Sequence, residues 1–223
     1  LEDREGTLWA GTYEGGLNRL DRQREVFTRY DLPGVSTQEK RLNTVLALRE
    51  DRRGVLWAGT YGQGLMRFDP QTGIFHTLPG SEANTSRYGE NIVRAIVEDR
   101  DGFLWYGTDE TGLHKMDADG HPVAAYAPVE NSTNCLSDNY VTCILPGRRG
   151  CLWIGTAHGG LNRFDPAAQV FTRYQSDPEK RNTLSHNNVI CLHEDRAGFL
   201  WVGTADGLNR LDPETGTFYN AAR

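Results

Sequence analysis

Short apolar runs, broken by Gly-, Asp- or Pro-bearing turns, extend the length of the chain, and none has a helical period. Residues 43–78 show the pattern. Asn43 to Glu50 reads Asn-Thr-Val-Leu-Ala-Leu-Arg-Glu, an apolar run suited to a buried strand, here strand a. Asp51-Arg52-Arg53-Gly54 predicts a turn, with Asp starting it and Gly free to take positive φ. Val55 to Thr60 is strand b, Tyr61-Gly62-Gln63-Gly64 a Gly-rich loop, and Leu65 to Asp69 strand c. Pro70-Gln71-Thr72-Gly73 is a second turn, followed by strand d at Ile74 to Leu78 and a longer connection.

This unit recurs. Leu-Trp-x-Gly-Thr is found at Leu8, Leu56, Leu104, Leu152 and Leu200, and its tryptophans, Trp9, Trp57, Trp105, Trp153 and Trp201, are 48 positions apart. Four short strands per repeat of this length predict an all-β chain, a β-propeller of about five four-stranded blades. The blades fall at about 1–30, 43–78, 91–126, 139–174 and 187–220, within a single propeller or propeller fragment over 1–223. Leu1 aligns with Arg49, so the first blade lacks its inner strand. The missing strand leads us to expect further blades in a longer parent chain, or completion by a partner or a second copy, since an open blade leaves unpaired edges. The five tryptophans are expected to form the repeat core between blades. Trp57→Ala should cost ~3–5 kcal/mol, the range for large aromatic truncations.

Composition narrows the function. The formal net charge of −6 argues against a nucleic-acid partner, which requires a basic surface. No apolar run approaches the ~18 residues of a membrane span, and no signal peptide opens the sequence. The four cysteines, Cys135, Cys143, Cys151 and Cys191, form no CxxC pair, so no zinc motif is present. Cys143 and Cys191 align with Ala47 and Ala95 and read as small buried fillers. No cofactor motif is found.

Antiparallel order sends the b–c loops and d–a connections to one end of every blade and the a–b and c–d turns to the other. The a–b turns are nearly uniform among copies, whereas the loops of the opposite face differ. Loops diversified on a rigid scaffold are where binding usually resides. Candidate ligand-binding residues are therefore Tyr13, Tyr61, Asp109, Glu110, Tyr140, His158 and His186, with Arg94 and His114 also breaking the repeat and Tyr88 a further exposed tyrosine. A sugar would suit the exposed tyrosines, with hydrogen bonds from Asn91, Asn139 and Asn187. Because Asn43, Asn91, Asn139 and Asn187 recur at one position, a turn role is the stronger reading for them. By the same test Thr12, Thr60, Thr108, Thr156 and Thr204 are strand-end hydrogen bonders. Arg19, Arg67, Lys115, Arg163 and Arg210, each followed two positions on by Asp, read as structural surface ion pairs of ~0–1 kcal/mol. His158 and His186 could lie together as a metal or general-base pair, but no His/carboxylate spacing supports one.

The pattern Asn-x-x-Val-x-x-Ile-x-Glu-Asp-x-x-Gly-x-Leu-Trp-x-Gly-Thr-x-x-Gly-Gly-Leu-x-Arg-Phe-Asp resembles the two-component regulator propeller repeat, with Gly150–Asp165 and Asn187–Asp212 as its best copies. The third copy departs most, at Asp109-Glu110-Thr111-Gly112 and His114-Lys115-Met116. The resemblance implies the periplasmic or extracytoplasmic sensor region of a bacterial two-component system, some members of which bind oligosaccharides, and it brings no shared catalytic residue. The leading expectation is a non-catalytic sensor module binding a small molecule, such as an oligosaccharide, on its loop face. Two alternatives stand beside it. One is a propeller lyase of the streptogramin-lyase type, which would need His158 or His186 beside a carboxylate and a dependence on Mg²⁺. The other is an interaction scaffold that self-associates through its open blade.

Overall fold

A computed structural model describes residues 1–36, 38–78 and 92–220. Its strands form five antiparallel sheets. The first holds β1 (Leu8–Thr12), β2 (Gly16–Asp21) and β3 (Val26–Tyr30). The second holds β4 (Val45–Glu50), β5 (Leu56–Thr60), β6 (Leu65–Asp69) and β7 (Ile74–Thr77). The third runs from β8 (Val93–Glu98) through β9 (Leu104–Thr108) and β10 (Leu113–Met116) to β11 (Pro122–Tyr126). The fourth comprises β12 (Val141–Pro146), β13 (Leu152–Thr156), β14 (Leu161–Asp165) and β15 (Val170–Tyr174). The fifth comprises β16 (Val189–Glu194), β17 (Leu200–Thr204), β18 (Gly207–Asp212) and β19 (Thr217–Asn220). Each sheet is a meander of neighbours in sequence order, the arrangement of a β-propeller blade. The first sheet lacks its inner strand; only Glu2, bridged to Leu8, occupies the end of that position.

Blades cannot bury their two faces alone, and the cores lie between them. Trp9 packs with Val45, Leu56 and Phe68 of the second blade, and Trp57 with Val93, Ile96 and Leu104 of the third. Trp105 packs with Val141, Leu152 and Phe164, and Trp153 with Val189, Leu200 and Leu211. Trp201 belongs to none of these cores and is only half-buried. Four of the five tryptophans thus lie in the cores between blades as the sequence predicts, and Trp201 does not, because no blade among the described residues covers it.

The glycine of the Leu-Trp-x-Gly-Thr motif sets the blade spacing. A Cβ on Gly59 would stand 2.6 Å from the carbonyl oxygen of Val93 in the next blade, and one on Gly11 2.7 Å from that of Val45. Just after that valine each inner strand shifts register, at Val45/Ala47, Val93/Ala95, Val141/Cys143 and Val189/Cys191.

Inner strands β4, β8, β12 and β16 pack in succession, and no packing of that extent joins β16–β19 to β1–β3 among the described residues. The blade at one end leaves Phe27 exposed, and the blade at the other leaves Ile190 and Cys191 exposed. Cys143, the filler expected from sequence, is largely enclosed, and burial pushes its thiol up to about 11. Cys191, its counterpart, is exposed and no buried filler, since no blade among the described residues packs over that face of β16. The described cysteines are all free.

The strand-c cations are not paired with the aspartates that follow them. Asp21, Asp69, Asp117, Asp165 and Asp212 instead accept backbone N–H groups of their own c–d turns, as in Gln71 to Asp69 at 2.9 Å. Lys115 lies over Phe103 at 3.7 Å from the ring centroid, and Arg210 over Phe199 at 4.5 Å. No helix among the described residues is long and apolar enough to cross a membrane.

Candidate functional site

The base of the loop face is built by repetition. Thr60 and Thr156 each donate a hydroxyl hydrogen bond, 2.8 Å, to the carbonyl of Gly64 and Gly160, closing the b–c loop. Asn43 Oδ1 accepts the Leu32 N–H at 2.8 Å and Asn187 Oδ1 the Ser176 N–H at 2.7 Å, pinning the d–a return. The backbone carbonyls of Asn43, Asn139 and Asn187 accept from Gly16, Gly112 and Gly160 of the preceding blade's b–c loop. The Asn43 and Asn187 side chains hold backbone, as their recurrence suggests, so the sugar-contact role for Asn187 is set aside. Asn139 departs in one respect: its Oδ1 is buried without a partner. The aligned donor would be residue 128, and Pro128 has no N–H to give.

Above this base, side chains that do not repeat line up across the blades. Arg41, the middle residue of the short 3₁₀ turn Lys40–Leu42, donates from Nε to the Tyr13 hydroxyl at 2.9 Å and lies 5.8 Å from the Tyr61 ring centroid. Arg41, Leu42, Glu39, Gln38 and Tyr61 line a concavity of about 370 Å³. In the third blade Arg94 grips Asp109 with two bonds, 2.5 and 2.9 Å, and lies 5.1 Å from the Tyr140 ring centroid. The bond to Asp109 raises the Arg94 pKa, and burial raises that of the Tyr140 hydroxyl, so the cation and the neutral phenol persist at neutral pH. The Tyr140 ring meets His158 edge-on at 6.2 Å. His158 in turn sits 3.2 Å from Asp138 through Nδ1 and donates its backbone N–H to the same oxygen.

The structure therefore gathers Tyr13 with Tyr61 through Arg41, and Asp109 with Tyr140 and His158 through Arg94 and the ring contact. Glu110 is exposed and has no partner among the described residues. His186 stands apart, its Nδ1 accepting the Asn188 N–H at 2.9 Å, and makes no contact with His158. His114 is enclosed within its blade, stacked 4.9 Å from Tyr106. Tyr88 and Asn91 lie outside the described residues. Among the described residues no group of His, Cys, Asp and Glu is arranged to hold a metal ion. Sequence reading missed Arg41 and Asp138. Arg41 carried a signal, for its column reads Arg41, Gly89, Ser137, Ser185.

The pattern of the two component regulator propeller family matches residues 40–62, 88–110, 135–158 and 183–206. The chain belongs to the two-component regulator propeller repeat family. It is similar to the extracellular domain of a protein from B. thetaiotaomicron described as a hybrid two component system, BT3049, at 25% identity and a TM-score of 0.77, covering 99% of this chain and 28% of that one. A second extracellular domain from B. thetaiotaomicron, of BT4673, aligns at 24% identity and a TM-score of 0.57, covering 99% and 34%. Virginiamycin B lyase from Staphylococcus aureus shares the fold, at 16% identity and a TM-score of 0.69, covering 100% and 69%. This chain spans about a third or less of the length of the two extracellular domains. No curated protein matches the sequence.

Proposed function

We propose that this chain is a non-catalytic sensing module in the extracytoplasmic region of a bacterial two-component system, binding a small molecule, such as an oligosaccharide, on its loop face. The observation that carries this reading is the unrepeated row Tyr13–Arg41–Tyr61 and Arg94–Asp109–Tyr140, set on a repeated base. Tyrosines offer large, rigid, amphipathic contact at low entropic cost, and fixed Arg and Asp groups supply the directed hydrogen bonds a polyol needs. The likeness to extracellular sensor domains supports the setting.

The test is a thermal-shift and calorimetric screen against oligosaccharides, followed by Arg41→Ala and Tyr61→Ala. A ligand at a hundred times its Kd should stabilise by about 2.7 kcal/mol, and either substitution should reduce that shift with the apo melting temperature little changed. A sugar whose shift survives both substitutions binds elsewhere and sinks this assignment.

The lyase reading draws on the His158–Asp138 pair. Asp138 already accepts the backbone N–H groups of Tyr140 and His158, which suits a loop clamp better than a catalytic acid. Mg²⁺-dependent turnover of a streptogramin, abolished by His158→Ala, would reverse that preference.

A further inference from the structure

The turn face contains one break in an otherwise repeated contact. In four blades the indole N–H donates to the aspartate opening the a–b turn: Trp9 to Asp3 at 2.7 Å, Trp57 to Asp51 at 2.9 Å, Trp105 to Asp99 at 2.7 Å and Trp201 to Asp195 at 2.9 Å. In the fourth blade that position is Gly147. A Cβ there would stand 3.1 Å from Trp153 Nε1, so the indole reaches the same place and finds no carboxylate. Trp153 is 2% exposed as a whole, but its Nε1 is not sealed from solvent, and it has no acceptor among the described residues.

A cation stands at the same spot. Arg163 pairs with Trp153 in register on β14, as Arg210 pairs with Trp201. Arg210 rests on Phe199 and Lys115 on Phe103, whereas the aligned Thr7, Val55 and Cys151 offer no ring in the other three blades; Arg163 has no ion pair or ring contact among the described residues, and the Tyr174 hydroxyl is its electrostatic neighbour. Trp153, Cys151 and Arg163 border a cleft of about 420 Å³ between the fourth and fifth blades. The other arginines of its wall are committed, Arg148 to Glu194 and Arg149 to Glu214. The corresponding cleft between the first and second blades contains Asp3, already bonded to its indole.

We propose that this cleft binds a small monocarboxylate, whose carboxylate takes the place of the absent aspartate, accepting from Trp153 Nε1 and pairing with Arg163. The sister blades supply the template for a carboxylate at that indole. Glu194, Asp212 and Glu214 in the wall balance the arginines, which favours a monoanion over phosphate. The site lies on the face opposite the loop row and does not depend on the sensing assignment.

The five indole N–H resonances of the ¹⁵N-labelled chain give a direct reading. The chain is titrated with acetate and with glucuronate, against chloride and inorganic phosphate at matched ionic strength. One resonance, identified by its absence in Trp153→Phe, should shift saturably with the carboxylates while the other four stay fixed and report an intact fold. Arg163→Gln should weaken the response about tenfold or more, the loss expected for a charge-assisted hydrogen bond. The double substitution Gly147→Asp with Cys151→Ala, which builds the sister blades' carboxylate and clears the 2.6 Å approach to the Cys151 sulfur, should abolish it. No saturable shift of the Trp153 resonance, a shift indifferent to Arg163→Gln, or a response to phosphate alone overturns the proposal.

Discussion

On the turn face Arg4, Arg52 and Arg148 each reach across to the next blade and donate to the carbonyl of its opening Asp, at 2.6, 2.9 and 2.7 Å, while Arg100 reaches the carbonyl of Arg148. At the loop tips the contacts are single events: Arg41 on Tyr13, Arg94 on Asp109, His158 on Asp138. The difference follows from what each face must do. Turn-face residues fix the spacing of blades whose cores are shared, so the same geometry demands the same side chains every time. Loop tips lie beyond the shared cores and are free to differ. A departure on the turn face is therefore the more informative one, and Gly147 is such a departure.

The comparison is sharpened most by removing a turn-face aspartate. Asp51 is buried, and its carboxylate accepts from Trp57 Nε1 and from the N–H groups of Arg53 and Val55. Asp51→Ala should cost about 2–3 kcal/mol in urea unfolding, because a buried donor left unmade costs ~1–3 kcal/mol. Asp195→Ala should cost about half as much, since Trp201 is half-exposed and water can replace the lost acceptor. Equal losses would mean that the turn contact acts independently of the blade that covers it.

The loop base offers a smaller contrast within one repeated position. Asn43→Ala removes the acceptor of the buried Leu32 N–H and the contact with Asp31, and should cost ~1–2 kcal/mol. Asn139→Ala removes an oxygen with no partner, and should fall within ~0.5 kcal/mol of wild type. A large loss at Asn139 in the same unfolding assay would show that recurrence, not the hydrogen bond, predicts the effect.

The blades were legible because the repeat is strong and the strand period of two is local. The Asn and Thr roles were legible for a related reason: backbone needs recur with the backbone. Burial at the ends of the row was not, because Trp201 and Cys191 occupy the same motif positions as Trp153 and Cys143, and their exposure follows from the absence of a covering blade among the described residues. The Gly147 break was hidden by its chemistry. Glycine suits a turn as well as aspartate does, and the lost acceptor shows only when the indole six residues on is brought back beside it. Arg41 and Asp138 were missed because their partners, Tyr13 and His158, come from neighbouring loops that are close only after folding.

The smallest effect concerns His114, a loop-side residue of β10 where three other blades carry Asn18, Asn162 and Asn209. Its Nε2 lies 2.8 Å from Thr111 Oγ1, and its ring stacks on Tyr106 at 11°. Burial lowers its pKa below the ordinary 6.5, so the folded chain resists protonation. As pH falls through about 6.5 the unfolded chain takes up this proton first, and stability must decline. The decline ends once pH passes below the folded-state pKa, where both states are protonated. The melting temperature, followed from pH 7.5 to pH 5, roughly the window in which histidine changes charge, should therefore drop more in the wild type than in His114→Asn, which installs the residue of the sister blades. Parallel profiles would place the sensitivity on another histidine and leave His114 as packing alone.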